Sequence, residues 1–139
     1  MRENDLKVFS LKEAESLIPL LEKSMRALHA KREQIADQEA QIDAEELVQD
    51  SSSPEGARVL EQLIKKHQEL VSEFYGVIEQ IETHGCLLKD LDLGLVDFHG
   101  VVDERMVYWC WKFGEKRINH WHHMNEGYVN RHPIKRTDA

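Results

Sequence analysis

Two long stretches of the chain carry apolar residues at alternating intervals of three and four, and this limits the fold more than any other feature. The first runs through Leu21, Met25, Leu28, Arg32, Ile35, Glu39 and Ile42. The second runs through Leu60, Leu63, His67, Leu70, Phe74, Val77 and Ile81. Such spacing draws one seam along a helix that packs against a partner helix. The intervening Asp50-Ser51-Ser52-Ser53-Pro54-Glu55-Gly56 reads as a turn and then a helix start. Ser53 suits the N-cap and Pro54 the first helical position. Helices of about 30 residues span roughly 45 Å. A short connection between two such helices predicts a long antiparallel hairpin over 11–85, with its tip near 50–55.

The same folding-back brings His67 near the segment 35–39, so a His67–Glu39 pair is expected on the seam. Eight acids and no Lys or Arg lie between Arg32 and Arg58, which makes the tip acidic. It is either a solvated end or a dock for a basic partner or cations. At the start, Ser10-Leu11-Lys12-Glu13 has the pattern of a capping box. Pro19 then forces a short helix near 11–17 to give way to a fresh start. Gly85 is the expected C-terminal cap of the second long helix.

Composition changes near Gly85. Residues 1–86 carry 18 acids against 10 bases, whereas 87–139 carry eight of each. The second part also holds seven of the ten aromatics and five of the eight histidines, so any concentrated chemistry belongs there. Within 91–98, Val96 and Phe98 fall on one face of a strand, and Leu95 and Asp97, with His99 beyond, on the other. Residues 106–113 read as a second strand, with Val107, Trp109, Trp111 and Phe113 on one face and Met106, Tyr108, Cys110 and Lys112 on the opposite one. A polar turn at 103–105 joins them as a small β-hairpin. Asp97 and Lys112 are expected to meet across it, as an ion pair or as a ligand-facing pair, and Arg131 to fold back onto an acid.

Residues 115–126 are expected to form a short C-terminal helix ending at Gly127. Glu115, Asn119, His122 and Glu126 would then stand on one line, which an extended segment 118–121 would break. Carboxylates and imidazoles at helical spacing can hold a divalent transition metal, zinc, iron or manganese. The candidate ligands are Glu115, His122 and His123, with Asp97 able to complete the set. Candidate binding residues are Asp97, Lys112 and Arg131. No H-E-x-x-H motif, Gly-x-Ser-x-Gly elbow or Gly-rich phosphate loop is present in the sequence, which argues against familiar hydrolase and nucleotide sites. Cys110 with a histidine could form a nucleophile, but burial beside tryptophans would leave the thiol inert.

The net charge of −8 argues against a nucleic-acid partner. No apolar run reaches the roughly 18 residues of a membrane span. With no export signal at the start and only two cysteines, Cys86 and Cys110, the expected location is the cytoplasm with both thiols reduced.

Several motifs are familiar as a set. They are Leu11-x-Glu13-Ala14-x-x-Leu17-Ile18-Pro19, Leu88-Lys89-Asp90-Leu91-x-x-Gly94-Leu95-Val96-Asp97-Phe98, Val107-Tyr108-Trp109-Cys110-Trp111-Lys112-x-Gly114-Glu115-x-x-Ile118-x-x-Trp121-His122, and Gly127-Tyr128-x-x-Arg131-x-Pro133. Together they resemble a prokaryotic, bacterial-type family of uncharacterised proteins, domain-of-unknown-function family twenty-two-oh-three. The resemblance covers nearly the whole chain except the tip, and implies one domain over 1–139 without supplying a reaction. Relatives commonly carry an acid directly after the Trp-His pair, where this chain has His123.

The expected fold is therefore α+β, mainly α: a coiled-coil-like helical hairpin followed by a small β-hairpin and a short helix. The leading functional expectation is a non-enzymatic interaction or oligomerising domain, dimeric or bound to a protein partner through the arm. The alternative is a metal-binding domain, a metal-dependent hydrolase or redox protein, built on the C-terminal Glu/His cluster.

Overall fold

The structure is a computed structural model, and it describes residues 7–49 and 52–135. Three helices, α1 (Leu11–Glu15), α2 (Ile18–Val48) and α3 (Pro54–Thr83), precede five strands, β1 (Leu87–Asp90), β2 (Leu95–Val102), β3 (Arg105–Lys112), β4 (His120–His123) and β5 (His132–Pro133). A 3-10 turn at Tyr128–Asn130 lies between the last two strands. Among the described residues no helix is long and apolar enough to cross a membrane.

The chain divides into two units, 27–78 and 1–26 with 79–139. The division therefore falls inside α2 and α3 rather than near Gly85, where composition changes. In the first unit, the two helices run antiparallel. Lys31 pairs with Glu73 at 3.6 Å. The expected His67–Glu39 contact forms, with Glu39 Oε2 3.5 Å from His67 Nε2, but Glu39 is exposed beside the seam rather than on it. On α3 the half-buried stripe runs through Leu60, Leu63, His67, Leu70, Phe74 and Val77, as expected. On α2 it runs through Leu28, Lys31, Ile35, Gln38, Ile42 and Glu45, so Arg32 and Glu39 are displaced from the seam by one position. Polar side chains at alternate seam positions explain why the stripe stays only half-buried: long Lys, Gln and Glu stems cover apolar surface while their heads reach for water. Ser53 caps α3, its Oγ accepting from the Gly56 amide at 3.0 Å. The expected turn residues Asp50 and Ser51 lie outside the described residues.

In the second unit, Ser10 caps α1 through the expected capping box, exchanging hydrogen bonds with Glu13 at 2.9 and 3.0 Å. Pro19 is the second residue of α2, where its missing N–H costs no helical bond. Gly85, after α3, takes φ +96°, a left-handed conformation that favours glycine. The sheet is antiparallel with order β1-β2-β3-β4-β5. β2 and β3 form the expected hairpin, closed by Asp103 and Glu104, both at positive φ, which is the twist a two-residue hairpin turn needs.

One face of this sheet makes the core. Val96, Phe98, Val107, Trp109 and Trp111 are buried there, together with Phe9, Leu11, Ala14 and Leu21. Phe9 meets Phe98 edge-on at 5.1 Å, and its carbonyl accepts the Trp109 indole N–H at 2.9 Å. That bond satisfies the one polar atom of a fully buried tryptophan.

The short helix expected at 115–126 does not form; the segment is a loop followed by β4. The backbone groups that a helix needs are committed elsewhere. The Glu115 carbonyl accepts the Trp111 indole N–H at 2.9 Å, the Ile118 amide donates to the Glu15 carboxylate at 2.9 Å, and the Asn119 carbonyl accepts from Ile134 at 2.8 Å. With Ile118 fully buried, these tertiary bonds outweigh the helical propensity of the segment.

Gly100 sits where the Trp109 indole crosses β2, and a Cβ there would collide with the indole ring. Gly100→Ala is therefore expected to destabilise the protein by about 1–3 kcal/mol, the cost of overpacking a filled core. Chemical denaturation followed by tryptophan fluorescence checks this; an unchanged midpoint would contradict the packing described.

Candidate functional site

The face of the sheet opposite the core is polar. Strand alternation places Asp97 and His99 of β2, Tyr108 and Cys110 of β3, and His120 and His122 of β4 on it. Asp97 lies opposite Cys110, which lies opposite His120; His99 lies opposite Tyr108, which lies opposite His122. His122 reaches over β3 to Asp97, with Nε2 3.0 Å from Oδ2. Both residues are only 3% exposed, and Cys110 1%. One ligating atom from each of Asp97, Cys110 and His122 lies within 4.8 Å of the others.

Hydrogen bonding fixes the histidine tautomer. His122 Nδ1 lies 2.9 Å from the His123 carbonyl oxygen. A carbonyl can only accept, so Nδ1 carries the proton, and a neutral ring turns the lone pair of Nε2 toward the Asp97 carboxylate. Two acceptors then face one another, a contact that needs a cation or a shared proton between them. The second carboxylate oxygen, Asp97 Oδ1, is buried with no hydrogen-bond partner. Burial pushes the Asp97 carboxyl above its ordinary range. Burial, reinforced by the Asp97 charge, pushes the Cys110 thiol up to about 12.

These three residues line a cavity of about 140 Å³ whose walls include Lys89, Tyr108, Glu126 and Tyr128. The walls come mostly from the segments that carry the family resemblance. The Lys89 ammonium rests over the Tyr108 ring at 5.0 Å. That ring sits between His99 and His122, at 4.8 and 5.3 Å.

The structure separates the residues singled out in the sequence into three groups. Asp97 and His122 come together, joined by Cys110. Lys112, Glu115 and Arg131 gather around Tyr128: Lys112 Nζ lies 3.4 Å from its hydroxyl, and the Arg131 guanidinium stacks 4.1 Å from its ring. Arg131 folds back onto an acid as expected, pairing with Glu115 at 3.6 Å. His123 faces the other side of β4 from His122, beside Glu126 and His132.

Glu115, His122 and His123 therefore do not converge, because β4 is a strand and its successive side chains alternate. The expected Asp97–Lys112 pair is also absent, since Lys112 lies opposite Leu95 and Asp97 opposite Cys110. Sequence reasoning set Cys110 aside because burial leaves a thiol unreactive, and gave no part to Lys89 or Tyr128. Cross-strand register was the signal that could have found Cys110 beside Asp97.

The chain belongs to the uncharacterized conserved protein family DUF2203, whose model matches residues 7–134. Neither a curated protein nor a solved structure matches it.

Proposed function

We propose that this protein binds one divalent transition-metal ion on the polar face of its sheet, through His122 Nε2, the Asp97 carboxylate and the Cys110 thiolate. The observation that carries this reading is the placement of His122: its Nδ1 lies 2.9 Å from a backbone carbonyl oxygen, and its Nε2 lies 3.0 Å from a buried carboxylate. Metal-ligating histidines are commonly oriented this way, one nitrogen anchored and the other presented. The unpartnered Asp97 Oδ1 adds a second buried acceptor that a cation would satisfy. A four-coordinate ion has ligand atoms about 3.5 Å apart, so small side-chain shifts would bring the three groups into its shell.

The donor set of one sulfur, one nitrogen and one oxygen favours zinc over manganese, because thiolate is a soft ligand. An ion would also remove the thiol proton that burial otherwise retains. Three protein ligands leave a fourth position toward the cavity, where a bound water would be activated for attack. Metal-assisted hydrolysis is the reaction class that such a centre serves. Nucleophilic catalysis by Cys110 is disfavoured because burial pushes its thiol up to about 12 and keeps it protonated. A reducing cytoplasm would keep Cys110 available to a metal.

Titration with Co²⁺ is expected to give a saturable near-ultraviolet thiolate-to-cobalt band. Cys110→Ser should abolish it, Cys86→Ser should retain it, and His122→Ala should weaken binding at least about 100-fold. No band from protein shown by circular dichroism to be folded would contradict the proposal.

A second reading, association through the helical arm, is favoured by the exposure of Leu47 and Val48, adjacent at the end of α2, since exposed apolar patches mark interaction surfaces. On this reading, sedimentation velocity shows a dimer forming across the micromolar range. A monomer at every concentration would contradict it.

A further inference from the structure

The opposite side of β4 carries a different cluster. Trp121 and His123 share the face that His122 leaves, and β5 adds His132 beside them, with Trp121 opposite His132 in register. The imidazoles of His123 and His132 stand 5.4 Å apart at 71°, so they are inclined rather than stacked. Trp121 touches both, at 5.0 and 4.6 Å, which limits their rotation.

Glu126 is brought over them by the turn after β4. Its amide donates to the His123 carbonyl at 3.0 Å, and its Oε1 accepts from the His123 amide at 3.1 Å. The same Oε1 meets His132 Nε2 at 3.2 Å. One ligating atom from each of His123, Glu126 and His132 lies within 4.8 Å of the others, and all three residues are partly exposed. No ring nitrogen of His123 has a hydrogen-bond partner among the described residues.

We infer that His123, Glu126 and His132 form a second divalent-metal site, sharing no ligand with Asp97, Cys110 and His122. Two imidazoles and one carboxylate, held on one side with open positions outward, are a donor set for borderline ions such as Zn²⁺, Ni²⁺ or Cu²⁺. The ligands come from a strand, a turn and a neighbouring strand, so the sheet fixes their spacing before an ion arrives. An entering ion displaces the proton shared by His132 and Glu126 and draws in the free nitrogen of His123. Partial exposure lets the ion keep water ligands and exchange without opening the core. This site lacks sulfur, which makes it spectroscopically separable from the first.

Isothermal titration of the full-length Cys110→Ser variant with Zn²⁺ tests the inference without relying on the sulfur-containing centre. One remaining equivalent is expected. His132→Ala or Glu126→Gln, each in that background, should weaken it at least 10-fold, whereas His29→Ala should leave it unchanged. In protein with Cys110 intact, His132→Ala should leave the thiolate-to-cobalt band unaltered. Absence of zinc binding by folded Cys110→Ser protein, or binding indifferent to both His132→Ala and Glu126→Gln, would overturn the second site while leaving the first to its own test. The conservative Glu126→Gln keeps the test decisive if His132→Ala disturbs β5.

Discussion

The pleat of β3 governs both the core and the site. Val107, Trp109 and Trp111 are buried on one side of this strand, while Tyr108, Cys110 and Lys112 stand on the other. A slip of one residue would carry both tryptophans to the polar face and drive Lys112 toward the core, so the register is strongly held. The Trp109 indole bond to the Phe9 carbonyl and the Trp111 indole bond to the Glu115 carbonyl fasten it further. With the register fixed by packing, Asp97 must lie opposite Cys110, and Tyr108 opposite His122. The geometry of the polar face is thus inherited from the apolar one.

Burying an acid and a histidine on a sheet is costly unless each finds a partner. Asp97 and His122 stand 3.0 Å apart, a contact that a shared proton or a cation between them satisfies. Asp97 Oδ1 remains without a partner, and Cys110 places a third potential anion beside the pair. Lys89 and Arg131 lie near enough to pull on Asp97 and Cys110 respectively. A cluster arranged only for stability would gain from apolar replacements of similar volume.

Local signals in the sequence specify the helices well. The capping box at Ser10, the Ser53-Pro54 start and the cap at Gly85 need only neighbouring residues, and each stands where the sequence places it. The α3 seam is equally readable because Leu, Phe, Val and Ile mark it. The α2 seam is shifted by one position because Lys31, Gln38 and Glu45 occupy sites that an apolar pattern cannot reveal. β4 is illegible for a different reason. Residues 115–126 carry charged groups at helical intervals, but Trp111, Glu15 and Ile134 take the backbone bonds on which a helix would depend, and Glu15 and Ile134 are distant in sequence. β1 is short, and its Lys89-Asp90 pair disguises it. The site follows the same rule: Asp97 and His122 were visible as candidates, whereas their meeting over Cys110 required the register of three strands.

The central claim is that one sulfur from Cys110 shares an ion with His122 and Asp97. X-ray absorption at the zinc edge of His132→Ala protein, which lacks one ligand of the His123–Glu126–His132 cluster, loaded with one equivalent of Zn²⁺ addresses it most directly. The account predicts one sulfur scatterer at about 2.3 Å with nitrogen and oxygen neighbours at about 2.0–2.1 Å. A shell of nitrogen and oxygen alone would contradict it.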